Sequence, residues 1–202
     1  MLTEEIGIKI FAGSSSIKFA EKMCKHLGTE VGKSQTITFS EGNTFVKILE
    51  KVRDKDVYIV QTIGVKPNDD FMELLFLIDA FKRASAGSIT AIIPYFSYAK
   101  GDKKDEPRVS IRARVCADCL EITGVDRIIT MDLHSPQIQG FFKKPVDHLY
   151  GMYPLCNYIR TKNIENMVVV SPDAGFAKNA RNFANLLKAP VAIGDKTRLF
   201  HD

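Results

Sequence analysis

A run of charged residues between positions 100 and 108 is the segment best suited to binding a phosphorylated ligand. It reads Lys-Gly-Asp-Lys-Lys-Asp-Glu-Pro-Arg and follows an apolar stretch, residues 88–94, that is typical of a β-strand. Clustered lysines and an arginine offset the charge of a polyphosphate through charge-assisted hydrogen bonds. A solvated polar loop has the same composition, so the residues alone leave both interpretations open.

A histidine close to a carboxylate forms a second candidate. Asp132-Leu133-His134 follows the apolar residues 127–131, which also have the pattern of a strand. Such a histidine can orient a metal ion, transfer a proton or donate a hydrogen bond to a phosphate. A structural histidine that is simply hydrogen-bonded fits the sequence equally well.

The segment 171–175, Ser-Pro-Asp-Ala-Gly, follows a third apolar run and is the last candidate of this kind. Its small residues let an anion approach the N-terminus of the next helix, and Asp173 could hold a divalent cation. The alternative is that Asp173 caps that helix. Lys196 and Arg198 are two further basic residues near position 202, and nothing in their own surroundings separates them from ordinary surface charges.

Cys116 and Cys119 form a C-x-x-C pair that we assign to core packing. A zinc site of four ligands needs a second such pair or histidines, and a reactive thiolate is expected at a helix start rather than inside an apolar helical stretch. The sequence contains no Walker A motif and no G-x-G-x-x-G, so a bound nucleotide would be held by another arrangement.

The elements that must position these residues alternate between short apolar runs and longer amphipathic stretches. This rhythm predicts a doubly wound parallel sheet, an α/β fold that binds ligands at the carboxyl ends of its strands. We predict strands at residues 8–12, 35–39, 44–49, 56–62, 88–94, 127–131, 167–171 and 191–193. We predict a first helix that ends near residue 27, and further helices at residues 69–86, 111–122, 153–159 and 174–187.

We predict two domains, residues 1–150 and the start of a second similar domain at 151–202. The second domain is expected to be incomplete, because the sequence ends just after a strand where an α/β domain would continue with a further helix and strand.

Composition narrows the class of protein. The chain has 202 residues, 45% hydrophobic and 26% charged, as is usual for a soluble globular protein. Its net charge of +4 is too small to argue for nucleic acid but suits small anions. No apolar run is long enough to cross a membrane, and the first residues do not resemble a signal peptide. The four cysteines are then expected to be reduced thiols in a cytoplasm.

Taken together, these segments resemble one enzyme family. Residues 132–142, Asp-Leu-His-Ser-Pro-Gln-Ile-Gln-Gly-Phe-Phe, continuing through Pro-Val-Asp at 145–147, are similar to the signature of the ribose-phosphate diphosphokinases, also called phosphoribosyl pyrophosphate synthetases. The segments FAGSS, DKKDEPR and VSPDAG resemble the same family, as does the long stretch from residue 68 to residue 99.

The resemblance implies a fold, a reaction and an assembly. It implies two phosphoribosyltransferase-like domains, with subunits assembled as dimers within a hexamer. It also implies that ATP gives its pyrophosphoryl group to ribose 5-phosphate for nucleotide biosynthesis. In that reaction the anomeric hydroxyl attacks the β-phosphorus, Mg²⁺ takes part, and AMP leaves.

The resemblance also assigns roles to individual residues. His134 and Asp173 match positions that hold Mg²⁺ and ATP, and Lys196 and Arg198 match a pair of basic residues in a catalytic loop. The remaining matches are to ATP-binding positions, either in a loop that reaches a neighbouring subunit's adenine or in the charged loop: Phe39, Glu41 and Asn43, and Lys100, Asp102, Lys103, Lys104 and Asp105.

The chain departs from the family pattern at a few positions. Lys100 and Gly101 stand where the family usually has Arg-Gln, and a lysine keeps the charge but lacks the planar fork of a guanidinium. Asn43 stands where a carboxylate is usual, and Phe176 where a second glycine is usual.

The departures at Lys100, Gly101 and Asn43 leave a second function open. The alternative to a synthetase is a non-catalytic regulatory homologue that assembles with an active one, although retention of His134, Asp173, Lys196 and Arg198 favours catalysis. The family's ribose-phosphate loop, an acidic pair followed by a Thr/Ser-Gly-Thr turn, does not occur in the 202 residues, so activity of these residues alone is not expected.

Overall fold

The computed structural model describes residues 7–195, which form two compact units divided between Leu149 and Tyr150. The first unit contains a five-stranded sheet in which every pair of neighbouring strands is parallel. Its strands, in their order across the sheet, are β1 (Ile8–Ala12), β4 (Asp56–Val60), β5 (Ser88–Ile93), β6 (Arg127–Met131) and β7 (Val146–Leu149).

Three helices among the described residues of this unit connect the strands, and their first or last residues explain where they begin or end. They are α1 (Ile17–Leu27), α2 (Pro67–Arg83) and α3 (Arg112–Thr123). Helix α1 ends at Gly28, whose φ of 68° is the left-handed conformation of a C-terminal cap, and α3 ends at Gly124 for the same reason. Helix α2 begins with Pro67. Proline has no backbone N–H, and the first turn of a helix makes no use of one within the helix.

Between α1 and β4 the chain forms an antiparallel hairpin of β2 (Ser34–Thr38) and β3 (Thr44–Ile48). The hairpin turn spans residues 39–43. The Phe39 amide donates to the Asn43 carbonyl at 2.9 Å, and Gly42 adopts a φ of 89° that favours glycine.

The two faces of the sheet bury different side chains, because successive residues of a strand point to opposite sides. Phe11 and Ile59 lie in the larger core, which α2 and α3 cover. Ile10 and Val60 pack on the other face against α1. Helices on both faces make the fold doubly wound, as the alternating pattern predicts.

The second unit has the same alternation on a smaller scale. It contains the helices α4 (Met152–Arg160) and α5 (Ala177–Leu187), together with a parallel pair of strands, β8 (Val169–Ser171) and β9 (Val191–Ile193). Within residues 7–195 no helix is both long and apolar enough to cross a membrane.

Candidate active site at the carboxyl edge of the sheet

The charged loop and the histidine segment are brought to one edge of the first unit. Strands β5 and β6 are neighbours and run parallel, so the segments that leave their carboxyl ends emerge side by side. The chain after β5 carries residues 97–108, and the chain after β6 carries residues 132–134. Ligands of open parallel sheets bind at this edge.

A 3-10 turn at Ser97–Lys100 leads into the charged loop, residues 100–108, which precedes the start of α3. Lys100 and Lys104 are exposed, and Lys103 forms an exposed ion pair with Asp105 at 3.4 Å. Asp102 is half-buried, and its Oδ1 has no hydrogen-bond partner among residues 7–195. A buried carboxylate oxygen without a partner is costly unless a ligand or water satisfies it, which makes this loop a candidate binding segment.

A cavity of about 480 Å³ opens beside this loop. Its volume is within the range of small-molecule sites, roughly 300–1,000 Å³. Cationic, anionic, apolar and hydroxyl groups line it: Lys103, Asp105, Glu106, Val109, Ser110 and Arg112.

His134 is exposed at the end of a turn that strand β7 holds in place. The Asp132 amide donates to the Leu149 carbonyl at 3.0 Å, and the Leu133 amide donates to Nε2 of His148 at 3.0 Å. Asp132 has a left-handed φ of 45°, which is unusual outside glycine. His134 makes no hydrogen bond to the described residues, so its imidazole is available to a ligand.

His148 must be neutral to accept the Leu133 amide, because a protonated imidazole has only donors. Burial lowers the pKa of His148, since desolvation disfavours the imidazolium, while the charge of Asp132 opposes that shift. The turn that carries His134 therefore depends on the unprotonated form of His148.

We expect the free energy of unfolding to fall as the pH is lowered through the pKa of the folded-state His148. Because that pKa lies below the unfolded value, the unfolded chain binds the proton first, so the stabilisation is complete above about pH 6.5 and is lost on acidification. Urea unfolding at about pH 7.5 and about pH 5.5 measures the difference. His148→Gln retains an acceptor for Leu133 and should reduce the pH dependence. His26→Gln, at an exposed position, should leave it, and equal pH dependence in all three proteins would contradict this role.

A buried carboxylate organises the turns that follow β1 and β4 at the same edge. Glu73 on α2 is 3% exposed. Its Oε1 accepts from the Ser14 amide at 3.0 Å and the Thr36 hydroxyl at 2.7 Å, and its Oε2 accepts from Nε2 of Gln61 at 2.9 Å and from the Ser14 hydroxyl. Gly13 leaves room for Gln61, whose Oε1 lies 2.3 Å from where a Cβ at position 13 would be. This network ties β1, the hairpin and β4 to α2.

The hairpin turn presents the residues assigned to a neighbouring subunit's adenine. Phe39 is 46% exposed, and its ring centroid lies 6.3 Å from that of Phe45. Glu41 accepts from Nδ2 of Asn43 at 3.0 Å and from the Ser40 hydroxyl at 3.2 Å. The two strands lie close to the predicted 35–39 and 44–49, with Phe39 in the turn just past the end of β2, and the role of these residues in a neighbouring subunit stays a prediction.

In the second unit Asp173 acts as a helix cap. Its Oδ1 accepts from the Phe176 amide at 3.0 Å, at the 3-10 turn that leads into α5. Capping uses one oxygen, so the carboxylate retains an acceptor for a cation or for water. His134 and Asp173 belong to different units, and their sharing of one ion stays a prediction.

The remaining candidates are partly resolved by the structure. Cys116 is a buried core residue of α3, and burial, with a smaller effect from Cys119, raises the pKa of its thiol to about 12, which confirms a packing role. Lys196 and Arg198 lie outside the described residues.

Three residues at this edge are not singled out by the sequence patterns: Glu73, Arg112 and His148. Glu73 carries a usable signal, because it falls on the buried face of α2 beside Leu74 and Leu77. A carboxylate on an apolar helix face is expected to have buried hydrogen-bond donors as partners.

The parallel sheet and the polar loops at its carboxyl edge place the first unit among α/β proteins that bind ligands at that edge. Comparison with known proteins makes this more specific. Residues 8–124 match the family model for the N-terminal domain of ribose phosphate pyrophosphokinase.

Individual relatives agree with that match. The chain is 48% identical over 192 residues to a ribose-phosphate pyrophosphokinase of Helicobacter pylori, covering 95% of this chain and 60% of the relative. It is 48% identical over 200 residues to that of Clostridium acetobutylicum, covering 98% and 63%. The crystal structure of phosphoribosylpyrophosphate synthetase from Mycobacterium smegmatis superposes with a TM-score of 0.89 at 42% identity, covering 95% of this chain and 65% of that one.

The chain belongs to the ribose-phosphate pyrophosphokinase family: the family model covers residues 8–124, from β1 to the end of α3, and the relatives cover 95% or more of the chain. It spans about three-fifths of the length of the curated relatives it matches.

Proposed function

We propose that this protein transfers the pyrophosphoryl group of ATP to ribose 5-phosphate, giving phosphoribosyl pyrophosphate and AMP. The observation that carries the proposal is the placement of the charged loop and His134 at the ends of neighbouring parallel strands. Family membership over residues 8–124 supports the choice of reaction.

ATP is assigned to the charged loop and its cavity. Lys100, Lys103 and Lys104 are exposed cations that can offset phosphate charge, and the partly buried Asp102 has an oxygen free to accept a hydrogen bond. Asp105 is assigned to ATP through the resemblance, and it forms an exposed ion pair with Lys103.

The residues present fit a Mg²⁺ ion that is held mainly by substrate. Mg²⁺ keeps several waters and usually takes only one or two protein ligands besides phosphate oxygens. Among residues 7–195 no group of three or more His, Cys, Asp or Glu side chains could form a closed metal site. We assign His134 and the uncommitted oxygen of Asp173 as the protein's contribution. When bound, the ion supplies charge neutralisation to the transferring phosphates.

The chain's own residues then position and stabilise the reacting groups. The loop lysines orient the triphosphate, so that the anomeric hydroxyl of ribose 5-phosphate can approach the β-phosphorus in line. Lys196 and Arg198 are assigned to the negative charge that spreads over the moving group in the transition state. Positioning and electrostatic stabilisation supply most of the catalysis in phosphoryl transfer.

The proposal extends to assembly and location. An exposed aromatic ring at Phe39, beside the acceptors of Glu41, supports an adenine contact across a subunit interface, and we propose a homo-oligomer of dimers within a hexamer. The proposed location is the cytoplasm, with ATP and ribose 5-phosphate as partners and neither nucleic acid nor membrane.

The test is formation of AMP by the intact protein. We expect AMP to appear only when Mg²⁺, ATP and ribose 5-phosphate are all present, and His134→Ala to lower the rate at least about 100-fold. His26→Ala, at an exposed position, is the matched control and should keep full activity. Absence of AMP, combined with a changed rate when the protein is added to an active synthetase, would contradict the proposal and favour the regulatory function.

A further inference from the structure

Gly101 and Arg112 are packed against each other in a way that a side chain at position 101 would prevent. A Cβ on Gly101 would lie 2.5 Å from Nε and 3.1 Å from Cζ of Arg112. The φ of Gly101 is −102°, which any residue adopts, so the backbone does not require glycine here. What glycine provides is room for the guanidinium.

The backbone fixes both residues in this arrangement. The Gly101 amide donates to the Tyr98 carbonyl at 3.0 Å, and the Ala113 amide donates to the Gly101 carbonyl at 3.1 Å. The first turn of α3 is therefore bonded to the charged loop, and Arg112 begins that helix. The backbone of Arg112 is therefore held close to Gly101 by the bonds between loop and helix.

Arg112 has unused binding capacity. It lines the cavity, yet it makes no hydrogen bond or ion pair within residues 7–195. Arg114, two residues further along the chain, does bind protein groups: it pairs with Asp118 at 2.6 Å and donates to the Phe141 carbonyl at 2.8 Å. Gly101 lies beside Nε and Cζ of this guanidinium, and the exposed remainder of the group is left to a ligand.

The lining of the cavity indicates which part of a nucleotide it takes. Its charges balance, with Lys103 and Arg112 against Asp105 and Glu106, so it does not favour a highly charged polyphosphate. It offers carboxylates that accept from an amino group, a small apolar surface at Val109, and a planar cation. Guanidinium planes stack on aromatic rings and bases.

We infer that Arg112 stacks on the purine base of ATP, and that Gly101 is the residue that gives it the space to do so. This inference rests on the proposed function and adds a specificity-determining residue to the same site.

Equilibrium binding of Mg²⁺–ATP and of Mg²⁺–tripolyphosphate to the intact protein tests the inference. Arg112→Lys keeps the charge and removes the plane, and Gly101→Ala displaces the guanidinium without altering it. Each should weaken ATP binding about tenfold and leave tripolyphosphate binding within about twofold. Arg83→Lys, which alters an exposed arginine on α2, should change neither affinity.

The contrary outcomes distinguish failure of the stacking role from failure of the proposed function. ATP binding by Arg112→Lys equal to that of the unaltered protein would overturn the stacking role and leave the proposed function standing. A parallel loss for tripolyphosphate would overturn it in favour of a phosphate contact. An unaltered protein that binds neither ligand would overturn this inference together with the proposed function. Circular dichroism of each variant identifies any loss of fold, and Arg112→Lys, at an exposed position, is the decisive variant.

Discussion

Replacement of Lys196 or Arg198 by alanine should lower kcat about 100-fold or more while changing the KM for ATP much less. In the transition state negative charge is spread over the equatorial oxygens of the transferring phosphoryl group and develops on the departing oxygen of AMP. Cations that meet that charge stabilise the transition state more than the bound substrate, so their loss appears in kcat. The proposed role comes from the resemblance to the family, which implies a catalytic pair of basic residues with the same one-residue gap.

Steady-state kinetics at saturating Mg²⁺ on the intact protein measures this effect. Lys178→Ala removes an exposed positive charge from α5 and serves as the control for a general electrostatic change. The catalytic assignment of Lys196 and Arg198 would be wrong if both variants kept the kcat of the unaltered protein.

The second large effect is expected in stability. Glu73→Leu should lower the free energy of unfolding by about 3 kcal/mol, because Nε2 of the fully buried Gln61 and the half-buried Thr36 hydroxyl would each lose an acceptor. The cost comes from donors left unpaired, and the added apolar surface of leucine does not replace the hydrogen bonds. Glu73→Gln should have a smaller effect, since the amide keeps one acceptor oxygen. Its NH₂ group would still face the hydrogen-bond donors that the other carboxylate oxygen accepts from.

Urea or guanidinium unfolding gives the comparison, with Glu21→Leu as the matched change at an exposed position of α1. That control should alter stability by no more than about 0.5 kcal/mol. Equal stabilities for Glu73→Leu and Glu21→Leu would mean that the network contributes nothing to the fold.

Strong local patterns make most of the fold predictable. Strands β1, β6 and β9 have the predicted bounds, and the helix predicted from Asp69 to Ala86 is close to the observed α2. The predicted helix is too long at its end because Ser85 adopts a left-handed φ of 62°, which a periodicity of apolar residues does not reveal. It begins later than the observed helix because the apolar pattern starts after Pro67, the first helical residue.

Strand β7 is absent from the predicted elements for a physical reason. It is a short edge strand whose residues Val146–Leu149 include Asp147 and His148, and none of the four is fully buried. Its place depends on pairing with β6 rather than on an apolar run of its own. Long-range pairing of this kind leaves little trace in a local sequence pattern.

The candidate site is predictable where residues follow strand ends, and less so where side chains meet across the fold. Position after β5 and β6 is enough to bring together the charged loop and His134. Arg112 and Gly101 come together only because α3 is bonded to the loop that precedes it. Glu73 meets Ser14 across 59 positions of sequence, which no local pattern encodes.

The transfer reaction itself gives the most direct test of the proposed function. ATP labelled with ³²P at its γ-phosphate is incubated with ribose 5-phosphate, Mg²⁺ and the intact protein, and the products are separated. We expect the label to enter a diphosphate ester of the sugar in step with unlabelled AMP, because the β- and γ-phosphates move as one group. Label in a sugar monophosphate accompanied by ADP, label in free phosphate alone, or no transfer at all would contradict the proposed function.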